Sequence, residues 1–155
     1  MRSTLTLFAL VGVAASSAVG QSLEGVWKPV QIVVDSGPDR GRHTSDVQPG
    51  QLIFTKHHYS MLFVQGFKAR PIPSDSASQE ELGRAFLPFT AQAGTYQRKG
   101  STLMLSPTVA KNPRVMSRNT PLSFTIRIKG DTLSGRATAG PGAGMELTWV
   151  RIERR

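Results

Sequence analysis

The residues of this chain that could do chemistry are few: three histidines, two tyrosines and ten acids. His57 and His58 are adjacent, and His43 precedes them. Paired imidazoles invite a metal ion. Successive residues of an extended chain point to opposite faces, however, so the pair does not converge on one ion. No third or fourth ligand stands beside them, and no metal site is expected. There is no cysteine, which excludes disulfides, thiolate zinc and iron–sulfur centres. The Gly-x-Ser-x-Gly elbow, the His-Glu-x-x-His zinc motif and the P-loop are missing from the sequence. Gly140 to Gly144 is glycine-rich but feeds a strand, so it offers no helix N-terminus to a phosphate. Glu80 and Glu81 suit a helix start, while Asp35, Asp39, Asp75 and Asp131 suit turns. No carboxylate pair for general acid–base work emerges, and no catalytic residue or cofactor is assigned.

Binding chemistry has better candidates. Tyr59, Met61 and Phe63 alternate along one strand face, and Trp149 joins them if it too points inward. They read either as plain core or as an apolar pocket with the tyrosine hydroxyl as polar handle. Gln31 and Arg127 are polar strand positions. Pointing inward, they would orient a ligand carbonyl or carboxylate; pointing outward, they belong to the solvated face. With Tyr96, these seven are the cavity candidates.

The elements that must position them are mostly strands. Trp27–Val34, Gln51–Thr55, Tyr59–Gln65, Gly94–Arg98, Thr102–Ser106, Leu122–Lys129, Thr132–Ala137 and Met145–Ile152 are rich in β-branched and apolar residues and end at turn clusters. Alternation is clearest at Leu122, Phe124, Ile126 and Ile128 against Ser123, Thr125, Arg127 and Lys129. Lys99-Gly100-Ser101 and Lys129-Gly130-Asp131 are hairpin signals. One segment departs from this pattern. Ser78-Gln79-Glu80-Glu81 is a capping box, and Leu82, Phe86 and Phe89 follow at helical spacing, which predicts one helix over Ser78–Ala91 between the third and fourth strands. The stretch Pro107–Pro121 reads as a polar, basic loop. Eight antiparallel strands with short turns predict an all-β, up-and-down barrel, which leaves no exposed sheet edge.

These residues resemble a known family. Gly25-Val26-Trp27 opens the first strand as a G-x-W signature opens lipocalins. Pro49-Gly50-Gln51-Leu52-Ile53-Phe54-Thr55, Ala93-Gly94-Thr95-Tyr96 and Leu147-Thr148-Trp149-Val150-Arg151 follow in the order seen in the bacterial lipocalin-like domain family. His57-His58 stands where that family has an Asp-Gly turn, and Pro29 lies inside the first strand. The resemblance implies a calycin-type barrel of eight strands. It also implies that Arg151 packs over Trp27 as a structural plug at one end. It brings no agreed activity.

Leu5–Ala15 is an uninterrupted apolar run after Arg2, and small residues to Gly20 follow it. This is the pattern of an export signal, too short for a span of about 20 residues. The expected division is therefore a signal peptide, 1–20, and a barrel domain, 21–155, secreted or periplasmic. The formal charge of +9 is spread over separate groups without interleaved aromatics, unlike a nucleic-acid module. The leading reading is a carrier of a small hydrophobic or amphipathic molecule, anionic ones included. The alternatives are a barrel-cavity enzyme of the isomerase or cyclase type, and an envelope module for an acidic partner.

Overall fold

The computed structural model describes residues 21–117, 122–138 and 142–154. The expected signal segment, 1–20, lies outside the described residues. Among the described residues nine strands follow in order: β1 (Gly25–Val34), β2 (Gly41–His43), β3 (Gly50–Phe54), β4 (His58–Val64), β5 (Phe89–Lys99), β6 (Thr102–Ala110), β7 (Leu122–Lys129), β8 (Thr132–Ala137) and β9 (Met145–Glu153). Helix α1 (Gln79–Phe86) lies between β4 and β5, and a 3-10 turn (Pro113–Val115) follows β6. Apart from β2, each strand pairs antiparallel with the next, and β9 returns to β1. The result is a closed, eight-stranded, up-and-down barrel, as the alternation predicts.

The extra strand, β2, has a physical origin in Pro29. On one edge β1 pairs with β3 only from Gly25 to Trp27 and with β2 from Ile32 to Val34. Pro29 lies between these two pairings and has no N–H to donate there. On the other edge a bulge between Pro29 and Gln31 interrupts the ladder to β9. A proline inside a strand is thus accommodated where the strand changes partner.

The helix is shorter than the sequence suggests. Ser78 caps it: its hydroxyl accepts from the Glu81 N–H, and the Ser78 N–H donates to the Glu81 carboxylate at 2.7 Å. It ends at Phe86 because Pro88 cannot continue the ladder. Phe89, Thr90 and Ala91 instead pair with Val64, Phe63 and Leu62 in β5. The ammonium of Lys111 donates to the carbonyls of Phe86, Leu87 and Phe89, closing the helix C-terminus. Likewise Pro107–Ala110, expected in a loop, extend β6 across a bulge opposite Ala93 and Gly94.

The two barrel ends differ. Tight turns join β3 to β4, β5 to β6 and β7 to β8 at one end, with Gly100 and Gly130 in the left-handed conformation at φ 60° and 58°. The longer connections leave from the other end. The core lies toward the tight-turn end, where Trp27 and Phe54 are fully buried among Leu23, Tyr59, Leu103, Leu133 and Trp149.

Candidate functional site in the barrel interior

A floor closes the tight-turn end. The Arg151 guanidinium lies over the Trp27 ring, 4.1 Å from its centre. Arg151 also donates to the carbonyls of Glu24 and Ser22, the latter at 2.8 Å. Its Nε donates to the Asp131 carboxylate at 3.1 Å. The indole N–H of Trp27 donates to the Leu23 carbonyl at 2.8 Å. Segment 21–24 is therefore strapped across the barrel end by both members of the pair. Gly25 permits this approach: its φ is +126°, and a Cβ there would overlap the Glu153 carbonyl oxygen.

Above the floor the interior is apolar, and it changes character with height. Phe54, Tyr59, Leu103, Leu133 and Trp149 are buried. Farther from the floor, Met61, Phe63, Thr90, Leu122, Phe124 and Leu147 remain only half-buried, although Ile32, Gln92 and Ala137 are covered there. Directly paired residues share a face. Cross-strand pairs Leu52–Met61, Gly50–Phe63, Phe63–Thr90 and Met61–Gln92 therefore form one continuous inner wall.

The structure brings Tyr59, Met61, Phe63 and Trp149 together inside this wall. Tyr59 is 2% exposed, and its hydroxyl is buried with no protein hydrogen-bond partner among the described residues. Burial alone pushes its pKa up, so the group stays a protonated donor. Tyr96 sits nearer the floor with its hydroxyl engaged: it donates to the Thr55 carbonyl at 2.9 Å, and its ring meets Phe54 edge-on.

Two candidates lie outside. Gln31 pairs with Thr148 on the outer face and accepts from Arg42 at 2.6 Å. Unbroken alternation from Trp27 would have turned Gln31 inward; the bulge after Pro29 shifts the phase by one residue and gives the inner position to Ile32. Arg127 is exposed opposite Ser134, because Ile126 and Ile128 occupy the inner face. Conversely, Gln92 is a buried inner polar residue that sequence reasoning missed. Assigning residues 78–91 to a helix concealed the strand beginning at Phe89. Counting back by twos from Tyr96 would have reached Gln92 and Thr90.

The groups that acid–base chemistry could use lie elsewhere. Glu146 is on the outer face with Arg136, which also binds Asp35. His57 is exposed in the turn between β3 and β4, and His58 is exposed at the start of β4. His43 is bound to the Asp46 carboxylate and the Asp39 carbonyl. No cluster of three or more metal-ligating side chains occurs among the described residues. A cleft of about 340 Å³ lies below the floor, lined by Gln21, Ser22, Glu24, Gly130, Arg151 and Arg154. Both its arginines are bound to Asp131.

No family model matches the chain, and no curated protein matches it. Among solved structures it is similar to a lipocalin-like protein from Bacteroides uniformis ATCC 8492, with a TM-score of 0.50 and 14% identity over 84% of this chain and 98% of that one. An uncharacterized protein from Bacteroides eggerthii DSM 20697 gives a TM-score of 0.47 and 10% identity over 84% of this chain and 99% of that one. At such identity the likeness is one of fold. The chain has a lipocalin-like fold, a closed antiparallel barrel of eight strands.

Proposed function

We propose that this lipocalin-like barrel is an exported binder of a small hydrophobic or amphipathic molecule, held in the upper interior. The observation that carries the reading is the half-buried inner wall of Met61, Phe63, Leu122, Phe124 and Leu147 above a sealed floor. Inward-facing apolar side chains that remain accessible favour a guest, since covering them removes apolar surface from water at about 25 cal/mol per Å². Small barrels of eight strands have room for packed side chains or one small ligand. Export rests on the Leu5–Gly20 pattern. No described helix is long and apolar enough to cross a membrane.

The enzyme alternative lacks an inner acid or histidine among the described residues, because Glu24, Glu146 and the three histidines all lie outside the wall. The acidic-partner alternative draws on cations of which several already serve the fold: Arg42, Lys111, Arg136, Arg151 and Arg154 are bound to the protein's own acceptors.

The test is direct. Purified protein is denatured and its organic extract analysed by mass spectrometry, while tryptophan fluorescence is titrated with lipophiles. A co-purifying lipophile or a saturable change in tryptophan emission supports the reading. A clean extract with no response to alkanes, ketones, fatty acids or retinoids overturns it.

A further inference from the structure

We propose that the ligand's deepest polar group is an uncharged hydrogen-bond acceptor, such as a ketone, ester or amide carbonyl, bound to the Tyr59 hydroxyl. This rests on the ligand-binding reading above and specifies its chemistry.

Two independent observations meet at this residue. First, the Tyr59 hydroxyl is buried with no protein acceptor among the described residues. A buried donor left unmade is costly, so natural cores rarely carry one without a use. Tyr96 shows the contrast within the same barrel, since its hydroxyl is satisfied by Thr55. Second, the described inner wall above the floor carries no charge. Its strand positions are Trp27, Pro29, Ile32 and Val34 on β1; Gly50, Leu52 and Phe54 on β3; Tyr59, Met61 and Phe63 on β4; Thr90, Gln92, Gly94 and Tyr96 on β5; and apolar residues or glycine on β6 to β9. At the floor end two cations share the inner-face register, and both are engaged: Arg151 is committed to Trp27, two carbonyls and Asp131, and Arg98 donates to the Gly100 and Gln21 carbonyls.

A carboxylate brought to Tyr59 would lose its water without gaining a counter-charge, which is strongly unfavourable. A carbonyl loses less and gains the missing bond. Gln92, cross-strand from Met61, and Thr90, cross-strand from Phe63, add further neutral polar groups to the same wall. The net positive charge of the chain does not change this choice: it acts on a ligand still in solution, whereas the selection is made where water is excluded.

The test compares a ten-carbon methyl ketone, the alkane of equal length and the corresponding carboxylate at mildly alkaline pH, on wild-type protein and on Tyr59→Phe. Affinities are read by tryptophan fluorescence and calorimetry. Expected is ketone binding weakened about tenfold by Tyr59→Phe, with alkane binding unchanged, as one hydrogen bond to a desolvated donor requires. The carboxylate should bind more weakly than the ketone and be indifferent to the substitution. Equal loss for ketone and alkane, no loss for the ketone, or a carboxylate that binds as tightly and depends on Tyr59 would each overturn the proposal while leaving the binding reading intact. If no probe binds wild-type protein, the binding reading fails first and the proposal with it.

Discussion

The ring of His43 lies flat against the ring of Phe67, with centroids 3.5 Å apart and planes 12° from parallel. His43 belongs to β2, and Phe67 follows β4, so the stack ties two connections together at the end away from the floor. Both ring nitrogens of His43 face acceptors: the Asp46 carboxylate at 2.8 Å and the Asp39 carbonyl at 2.9 Å. Neither an ionised carboxylate nor a carbonyl has a proton to give, so both contacts are hydrogen bonds together only in the protonated ring, where both nitrogens donate.

That arrangement sets a pH window. The hydrogen bond to Asp46 raises the His43 pKa above 6.5, with the Asp39 carbonyl adding to it. A raised folded-state value means that the contribution is full below the unfolded value and is lost as pH rises through the folded one. The same bond holds the Asp46 pKa below 3.8, so its share is present above that value and lost as pH falls through the depressed one. NMR titration of the His43 ring should give a midpoint above the ordinary 6.5, and Asp46→Asn should bring it down. Amide exchange across residues 39–49 should rise on the alkaline side. A His43 midpoint at or below the ordinary value would contradict this assignment.

Tyr59→Phe should stabilise the ligand-free protein by about 1 kcal/mol, because it deletes a buried donor that has no protein partner and leaves the ring in place. Urea unfolding measures this. A loss of similar size would reveal an acceptor for the hydroxyl within the fold.

Arg151→Ala should destabilise by about 2–4 kcal/mol, through loss of the stack on Trp27 and of charged donors to Ser22 and Glu24. Arg151→Lys should restore only part, since an ammonium cannot present the same planar fork. Asp131 adds an acid dependence: Arg154 first, then Arg151, holds its pKa below 3.8. Its contribution is present above that value and lost as pH falls through the depressed one. Thermal melts of wild type and Asp131→Asn should therefore converge in acid, and parallel curves would refute the assignment.

Lys111→Met should loosen the end of α1 while sparing the barrel, at a cost of about 1 kcal/mol. The Leu87 amide, which donates to the Gly83 carbonyl at 2.8 Å, should exchange faster. Unchanged protection there would mean that the Lys111 ammonium does not hold the helix.

Gly25→Ala should cost about 2–4 kcal/mol, from the left-handed backbone and the overlap with the Glu153 carbonyl. Gly83→Ala, whose Cβ meets nothing within 4 Å, should be neutral or stabilising in the same chemical melt.

The barrel was legible because alternation on β7, the G-x-W opening and the glycine hairpins all act locally. The limits were local too. A bulge adds one residue without altering composition, so the phase flip that moves Gln31 outside leaves no mark beyond Pro29. The helix end was obscured because Phe89 continues the spacing of Leu82 and Phe86, while Pro88 alone signals the break. Inward placement of Gln92 depends on pairing with β4 across a connection of more than twenty residues. The positive charge was opaque for a related reason: Lys111, Arg136 and Arg154 find their acceptors only once distant strands meet.

The seam between β1 and β9 has a consequence for how the protein is made. Arg151 reaches the Ser22 carbonyl across 129 residues of sequence, so the sheet stays open until the final strand has left the ribosome. Until then β1 presents an unpaired edge, and the folding rate is tied to this most distant contact, which is slow to form. Because β1 and β9 meet at one seam, the barrel is a natural candidate for circular permutation: linking residues 21 and 154 and cutting at Gly100 would move the seam without removing a strand.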